Sequence, residues 1–408
     1  MKELIPTPRA FLCRTLILSV TTAMNRARGI ICLLALSIGI LVTPVHRQEQ
    51  MAAGPYFPSR TNWERRMPSD VGMENAVLQS AVEYAMSHAS TWPLDFSNQL
   101  RVFGRQLAPM PVRHGDTNGI VIHNGYIVAE FGDTSQIDVT YSIAKSYVAS
   151  LLGLALDRSL IPNIGDPVGK LVKDGGYDSP HNAKITWEQH ARQTSEWEGT
   201  LFGKADTFIG AEEFGTQARP ARQRYDPGMY FDYNDVRINR LALSLLRVWK
   251  KPLPEVLKSE IMDPIGASNT WKYVGYDNVD VDIGGKKVKP VGGGSRWGGG
   301  IWMSTRDHAR YGYLMLRRGR WNGRQILSES WVKRATTRGP LFADYGYLWW
   351  LNTDGMTWPG LSSASFGAQG AGNNTIWIDP EHDLVIVWRW HDGNPSEFFK
   401  RVVASIRR

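Results

Sequence analysis

The chain has 408 residues, 42% of them hydrophobic and 21% charged, which suits one large or two small globular domains with a sizeable core. Of the net charge of +8, five charges come from residues 1–47, which hold six Lys or Arg and one Glu. The remaining residues contain no long basic run, so we expect no nucleic-acid partner. Both cysteines, Cys13 and Cys32, lie in the same N-terminal stretch, and a mature chain without them has neither a disulfide nor a thiol nucleophile. The nine histidines show no metal-binding spacing, so we expect no metal and no other cofactor.

The N-terminal stretch has the pattern of a secretory leader. Residues 29–42 form an apolar run of about 14 residues, and Arg26 and Arg28 precede it. Such a run is too short for a comfortable membrane span and is typical of the core of a signal peptide. We predict that residues 1–53 are a signal peptide, with Ala52-Ala53-Gly54 as a candidate cleavage site, or an uncleaved N-terminal anchor plus linker. The body would then be exported, to the periplasm of a bacterium, and attached to the membrane in the second case.

The body, residues 54–408, begins with a helical pattern and then a β-hairpin. Residues 119–123 and 126–130 flank Asn124-Gly125, which is a strong signal for a type I′ turn. Helices are predicted over 73–86, 186–194, 235–249, 307–317, 328–335 and 397–408, and late strands over 375–378 and 384–390. This order predicts an α+β fold, in which an antiparallel sheet with flanking helices is closed by both ends of the chain. A mostly helical lobe at about 157–290 would be inserted between them.

A candidate nucleophile follows the hairpin. Ser142 and Lys145 lie in Tyr141-Ser142-Ile143-Ala144-Lys145, which opens the apolar run 147–156. A serine hydroxyl is a poor nucleophile until a neighbour takes its proton, and a spacing of three residues places Lys145 on the same helix face. Burial would disfavour the ammonium form of Lys145, and the neutral amine could then act as a base. An ordinary N-cap serine with a lysine in the first turn is the alternative.

Two other motifs carry less weight. The SxxK spacing recurs at Ser330 and Lys333, but Arg334 follows, and this charged helix predicts a solvated face. The glycine-rich region 292–300 lacks a following GK[ST], so a phosphate-binding loop is not predicted. Only the first SxxK match opens an apolar helix, where a lysine is costly unless it has a role.

Several longer segments occur in a recognisable order after the hairpin and YSIAKS. They are ITWEQHARQTSEWEG at 185–199, DPGMYFDYND at 226–235, DPIGASNTW at 263–271, GGGIWMSTRDHARYGYLMLRRGRW at 298–321 and FGAQGAGNNTIWIDPEHDLVIV at 366–387. From about residue 119 to the end, the chain resembles the serine hydrolases related to class C β-lactamases and penicillin-binding proteins. Within this group it is most similar to 6-aminohexanoate-dimer hydrolase and related esterases. The resemblance implies a β-lactamase/DD-peptidase-like fold.

The resemblance also implies roles for particular residues. Ser142, Lys145 and Tyr233 would be catalytic, with Tyr233 relaying a proton, and the backbone N–H groups of Ser142 and Ala371 would form the oxyanion hole. Residues expected to contact substrate are Asp235, Gln369, Gly370 and Trp197, although a packing role for Trp197 is the alternative. The neighbouring Glu196 and Glu198 are expected to be solvated loop carboxylates.

Two departures from the family pattern bear on the substrate. Asp235 stands where penicillin-recognising relatives have Asn, and Ala368 stands where they have Lys or His. Both changes remove groups that would hold a β-lactam or peptide substrate. The resemblance therefore implies a serine hydrolase that acts on a small-molecule ester or linear amide, and the leader pattern predicts that it is exported. A periplasmic β-lactamase or DD-peptidase and a non-catalytic ligand-binding relative are the alternatives, and the oligomeric state stays open.

Overall fold

The computed structural model of the chain describes residues 54–97, 112–207, 222–294 and 300–407, all within one unit, Ala53–Arg408. The strands are β1 Asn118–His123, β2 Tyr126–Phe131, β3 Asp138–Val139, β4 Thr200–Leu201, β5 Lys204–Ala205, β6 Lys272–Val274, β7 Val281–Ile283, β8 Lys286–Val288, β9 Gly300–Met303, β10 Arg320–Trp321, β11 Arg324–Gln325, β12 Trp350–Leu351, β13 Phe366–Gly370, β14 Asn374–Asp379 and β15 Leu384–Arg389. The helices are α1 Asn75–Ser87, α2 Ala144–Asp157, α3 Trp187–Ala191, α4 Asp235–Trp249, α5 Leu253–Leu257, α6 Thr305–Leu316, α7 Glu329–Ala335 and α8 Pro395–Ala404. The predicted leader, residues 1–53, lies outside the described residues.

A six-stranded antiparallel sheet is the framework of the fold, with the strand order β12-β13-β14-β15-β1-β2. The predicted hairpin forms β1 and β2, and its turn residues Asn124 and Gly125 have the positive φ angles of 51° and 86° that a type I′ turn requires. Because β1 pairs with β15, the first and last strands of the body lie side by side. The prediction that both ends of the chain close the sheet is therefore confirmed.

Both faces of this sheet are buried, and alternate residues of each strand serve alternate faces. In β15, Val385 and Val387 join the main core with α2 and α6, whereas Ile386 and Trp388 pack on the other side with α1 and α8. Helices thus cover both faces of an antiparallel sheet, as the predicted α+β class requires.

Among the residues that the structure describes, no helix combines the length and the apolar character needed to cross a membrane.

Helix α2 passes through the main core and carries the candidate lysine near its first turn. Every residue from Ala144 to Ala155 is buried. Gly153 makes this burial possible, because a Cβ at this position would lie 2.3 Å from the indole nitrogen of Trp331 in α7. The close approach of α7 therefore holds α2, and with it the first turn, in place.

The region predicted to be a mostly helical lobe contains helices together with short strands. It holds α3, α4, α5 and a π-helical turn at Lys258–Met262, and also the two-stranded pairs β4–β5 and β7–β8. Strand β6 pairs with β9, outside the lobe. Strand β9 also pairs with β3, which directly precedes the Ser142 turn in the chain. Helix α3 is fixed by a capping box between Thr186 and Gln189, and α4 covers residues 235–249 as predicted.

A buried cluster of ions joins the lobe to the start of α4. The Glu196 carboxylate is fully buried and accepts hydrogen bonds from Arg222 and Arg237, both at 2.6 Å, and Asp232 accepts from the same two arginines. The prediction that Glu196 is solvated is wrong, because two guanidinium groups distant in sequence reach it. Burial alone would raise the pKa of Glu196, but the hydrogen bond from Arg222 and the charge of Arg237 lower it to about 2. Glu198, by contrast, keeps 38% of its side chain exposed.

The packing of α2 against α7 can be tested at Gly153. Alanine normally stabilises a helix interior by about 1 kcal/mol relative to glycine. Here Gly153→Ala should instead destabilise the protein by about 1–3 kcal/mol, because the added methyl group meets the buried Trp331 ring. Urea unfolding measures the difference. Gly165→Ala, at an exposed position where the new Cβ would be 3.4 Å from its nearest neighbour, is the control. A wild-type midpoint for Gly153→Ala would contradict the packing argument.

The ion cluster predicts a pH-dependent contribution to stability. Because the pKa of Glu196 is lower in the folded protein than in the unfolded chain, its contribution is present above about pH 4–5 and is lost as the pH falls towards 2. Glu196→Gln should lower stability at pH 7 by about 3 kcal/mol, since it removes one of the two carboxylates, Glu196 and Asp232, that compensate the buried Arg237 guanidinium. The deficit should shrink between pH 6 and pH 3 in thermal unfolding. The control is Glu198→Gln, at a partly exposed position two residues further on, for which we expect a loss of stability below about 1 kcal/mol. Equal losses of stability in the two variants would refute the assignment of the pH dependence to Glu196.

Candidate active site

The backbone turn that presents Ser142 is held in an uncommon conformation. Tyr141 has a φ of 47°, in the left-handed region, and begins the 3₁₀ turn Tyr141–Ile143 that leads into α2. A tyrosine in this region costs about 1–3 kcal/mol unless the surroundings enforce it. The buried Tyr141 ring packs edge-on against Trp390, and the Thr140 N–H donates to the Ile301 carbonyl in β9. These contacts fix the turn and leave Ser142 partly exposed.

Lys145 and Ser142 meet as their spacing predicts. Lys145 Nζ donates to Ser142 Oγ at 2.8 Å, and the Lys145 residue is only 1% exposed. One helical turn separates the two residues, so the contact follows from the geometry of the first turn of α2. An N-cap serine would accept from a backbone N–H, and the N-cap position of α2 is taken by Ile143, which makes no side-chain cap. The geometry favours the nucleophile interpretation over the capping alternative.

Asp235 is the ionic partner of Lys145. The Lys145 Nζ and Asp235 Oδ1 atoms lie 2.7 Å apart, and both side chains are nearly buried. Asp235 is the first residue of α4, where the positive end of the helix dipole favours a carboxylate. The glycine-rich segment packs on this pair, because a Cβ on Gly293 would lie 3.0 Å from Lys145 Cγ and one on Gly294 would lie 3.4 Å from Asp235 Oδ2. Because glycine has no side chain, the backbone at these two positions can pack directly against the Lys145–Asp235 ion pair.

Tyr233 completes the group of side chains around Ser142. Its hydroxyl is hydrogen-bonded with Ser142, and Lys145 Nζ lies 4.8 Å from the centre of its ring. Burial, together with the nearby Asp235 carboxylate, raises the pKa of Tyr233 well above its usual value, although the hydrogen bond with Ser142 partly opposes the shift. The ring is held by Trp350, which stacks on it at 5.7 Å, and by Tyr345, which meets it edge-on. Tyr233 is therefore a neutral phenol in contact with Ser142.

The end of β13 lies directly against the turn that carries Ser142. A Cβ on Gly370 would be 2.3 Å from the Thr140 carbonyl oxygen and 3.3 Å from Ser142 N, so only glycine allows the strand to approach this closely. The next residue, Ala371, is fixed by Asn374, whose side-chain amide donates to the Ala371 carbonyl at 2.6 Å. Ala368 is buried, and the partly exposed Gln369 lines two neighbouring cavities. The structure thus brings Gln369, Gly370 and Ala371 to the Ser142 turn.

Trp197 is the one predicted site residue that the structure does not bring to Ser142. Its indole N–H donates to the Gly176 carbonyl at 2.8 Å, and its ring contacts Gly199 and lies within 6.0 Å of the Arg240 guanidinium. It is buried and lines a separate cavity of about 760 Å³ within the lobe. These contacts favour the packing alternative, because the lobe folds the indole inwards onto the segment that holds Gly176.

Two further features of the site were not predicted from the sequence. Gly293 and Gly294 cover the ion pair, and Trp350 and Tyr345 hold the Tyr233 ring. The run of glycines at 292–294 was a usable signal of close backbone approach, although not of a phosphate loop. The aromatic residues at 345–350 belong to no recognised motif. Their contact with Tyr233 depends on the position of β12 beside the lobe, which the sequence does not indicate.

Within the described residues, one group of side chains has the composition of a metal site. Asp379, Glu381 and His382 place their ligand atoms within 4.8 Å of one another in the turn between β14 and β15. The His382 ring nitrogen lies 2.6 Å from the Asp379 carboxylate, a contact that an ordinary hydrogen bond explains. None of the three residues contacts the Ser142 group.

Comparisons with known proteins agree with this architecture. The protein Rv1367c of Mycobacterium tuberculosis is 24% identical over 198 residues, which are 40% of this chain and about half (49%) of that protein. The solved β-lactamase/D-alanine carboxypeptidase of Pseudomonas syringae has a TM-score of 0.55 at 12% identity, covering 82% of this chain and 99% of that one. A candidate 6-aminohexanoate-dimer hydrolase from Bacillus anthracis has a TM-score of 0.49 at 19% identity, covering 86% and 97%.

The structural likeness confirms the predicted fold class, which is β-lactamase/DD-peptidase-like with antiparallel sheet and helices. The sequence profile of the Beta-lactamase family matches residues 135–405, which is more than half of the chain and includes Ser142, Tyr233 and Ala371. The chain therefore belongs to the β-lactamase family and has the hydrolase fold of that family.

Proposed function

We propose that the protein is a serine hydrolase that cleaves a small ester or linear amide through an acyl-serine intermediate. The observation that carries the proposal is the contact of 2.8 Å between Lys145 Nζ and Ser142 Oγ. The Tyr233 hydroxyl is hydrogen-bonded with the same serine. A hydroxyl that touches both an amine and a phenol has a route for losing its proton. A ligand-binding protein would have no need for these three groups at one point.

The protonation of Tyr233 points to Lys145 as the base. Because burial and the Asp235 carboxylate both disfavour a phenolate, Tyr233 cannot take the serine proton as a resting anion. Among the residues that the structure describes, the Lys145 amine is the other group in contact with Ser142 Oγ. The scheme uses this amine in its neutral form, and the Asp235 carboxylate, 2.7 Å from Lys145 Nζ, stabilises the ammonium that forms when the amine takes the serine proton.

The reaction follows from these contacts. Ser142 Oγ attacks the carbonyl carbon while its proton passes to the Lys145 amine, and the new bond places negative charge on the carbonyl oxygen. The backbone N–H groups of Ser142 and Ala371 would stabilise this oxyanion, an effect of about 3 kcal/mol per donor in comparable enzymes. Tyr233 then donates a proton to the leaving oxygen or nitrogen and recovers one from Lys145, as the bond from the carbonyl carbon to that atom breaks. Water cleaves the acyl-serine by the same steps in reverse order.

The charges near the nucleophile support a substrate without an essential carboxylate. Ala368 is buried at the position where penicillin-recognising relatives carry a cation, and the Asp235 carboxylate is engaged by Lys145. Ala368 thus offers an anionic substrate group no charge at this point of β13. An ester or a neutral amide needs only the oxyanion donors and the proton relay, so these substrates suit the site better than a penicillin.

We also propose that the protein is exported. The support is the leader pattern at residues 26–42, namely two arginines before a run of 14 apolar residues. The first residue of the mature protein, found by N-terminal sequencing, tests this proposal.

The nucleophile can be identified by covalent labelling. A fluorophosphonate should form one adduct, on Ser142, because among the serines that the structure describes it is the one that combines exposure with a contacting amine. Mass spectrometry of a tryptic digest locates the adduct. Ser142→Ala should abolish labelling and the hydrolysis of p-nitrophenyl acetate, whereas Ser330→Ala should preserve both, since the second SxxK serine is exposed on α7. Labelling that survives in Ser142→Ala would overturn the proposal, and rapid nitrocefin hydrolysis by the wild type would favour the β-lactamase alternative.

The proton relay can be tested by removing one hydroxyl group. Tyr233→Phe should keep the ring between Lys145 and Trp350 but lower kcat by about 10²–10⁴, with KM for p-nitrophenyl acetate changed far less. Steady-state kinetics give both constants. Tyr313→Phe is the matched control. It also removes the hydroxyl of a buried tyrosine, but this hydroxyl lies in α6 and donates a hydrogen bond to the Tyr56 carbonyl. A kcat within about twofold of wild type for Tyr233→Phe would remove Tyr233 from the mechanism.

A further inference from the structure

A second cavity lies beside the nucleophile and has no part in the chemistry described above. Its volume is about 680 Å³, within the range of small-molecule binding sites. Large apolar side chains form much of its wall, and Gln369 lies at one end. The wall residues that matter here are Leu341, Phe342, Trp350 and Met356.

The cavity is connected to the nucleophile through two of its lining residues. The Trp350 ring stacks on Tyr233, whose hydroxyl is hydrogen-bonded with Ser142. Gln369 directly precedes Gly370, which lies against the backbone of the Ser142 turn. The cavity therefore lies next to the Ser142 site, and Tyr233 and Gly370 lie between the two.

The wall exposes more apolar surface than folding explains. Leu341 is 45% exposed, Phe342 38% and Met356 75%, and all three line the same cavity. Single exposed apolar side chains are common, but a cluster around one cavity marks a binding site. Phe342 also packs on Phe231, two residues before Tyr233, so this wall is continuous with the loop that carries the phenol.

The charged groups of the cavity are already engaged with the protein. The Arg338 guanidinium pairs with Asp354 at 3.5 Å, and Asp344, which is buried, accepts from the Asp354 N–H. These contacts neutralise the cation that could otherwise recognise an anionic ligand. Besides this exposed ion pair and the Thr357 side chain, the cavity presents apolar side chains and the Gln369 amide to its occupant.

We propose that this cavity holds the leaving group of the substrate, and that the leaving group is a bulky apolar alcohol or amine, preferably aromatic. The assignment rests on the proposed acyl-serine mechanism, in which Tyr233 donates its proton to the leaving atom. The leaving atom must therefore lie at the Tyr233 hydroxyl, and the group attached to it continues along Tyr233 towards Trp350 and Phe342. The substrate class is accordingly an ester or amide of a short acid with an apolar aromatic alcohol or amine.

Two ester series separate the leaving group from the acyl group. The first holds the acid constant, with acetates of methanol, benzyl alcohol and 2-naphthylmethanol, and the second holds the alcohol constant, with methyl esters of acetic, phenylacetic and 2-naphthylacetic acids. The alcohols have similar basicity, so differences within the first series report binding rather than leaving-group chemistry. We expect kcat/KM to rise about 10–100-fold from methyl to naphthylmethyl acetate and to rise less than about threefold along the second series.

A variant of the wall provides the second measurement. Leu341→Ser combined with Met356→Ser should reduce the ratio of kcat/KM for naphthylmethyl and methyl acetates by at least about fivefold, because two apolar contacts are lost. Met67→Ser, which changes an exposed methionine that does not line the cavity, should keep the wild-type ratio. A preference confined to the acid series, or an unchanged ratio in the double variant, would overturn this assignment while the mechanism stands. Absence of both turnover and a Ser142 adduct would overturn the mechanism and this assignment together.

Discussion

The buried amine of Lys145 is the constraint on which the site depends. A lysine removed from water is costly unless a carboxylate compensates it, and Asp235 provides that carboxylate at 2.7 Å. The requirement fixes two helices at once, because Lys145 is in the first turn of α2 and Asp235 is the first residue of α4. Backbone must also come close to the pair, and Gly293 and Gly294 allow this. The position of Ser142 is thus a consequence of how the lysine is buried.

The same first turn of α4 is held from its other side by the lobe. Arg237, two residues after Asp235, binds Glu196 and Asp232 in a buried cluster, and Arg222 joins the same carboxylates. Because Tyr233 lies between Asp232 and Asp235, these ion pairs fix the phenol as well. Residues without contact to Ser142 therefore position Tyr233, which touches it, and Asp235, which pairs with Lys145. Under the proposed mechanism, a change in the lobe alters catalysis through the backbone of 232–237 alone.

Local signals predicted much of the fold, and long-range contacts account for what was missed. The hairpin at Asn124-Gly125 and the helix over 235–249 are determined by neighbouring residues, and both were predicted within a residue or so. The SxxK spacing likewise predicted the contact of Ser142 with Lys145. Glu196 was placed wrongly because its partners lie 26 and 41 residues further on, and nothing near it in sequence indicates them. Trp197, next to it, was drawn into the lobe by the same folding of the loop.

Under the proposed function, the charge pattern near Ser142 accounts for a neutral ester or amide as the substrate. The Asp235 carboxylate pairs with Lys145, and the buried Ala368 carries no charge on β13. Ala368 therefore offers an anionic substrate group no electrostatic partner, whereas the groups proposed to transfer the acyl group lie together at Ser142. Specificity must then come from shape and apolar contact, which the surface around Trp350 can supply. Because apolar contacts discriminate less sharply than paired charges, such a site suits a family of related esters or amides better than one exact substrate.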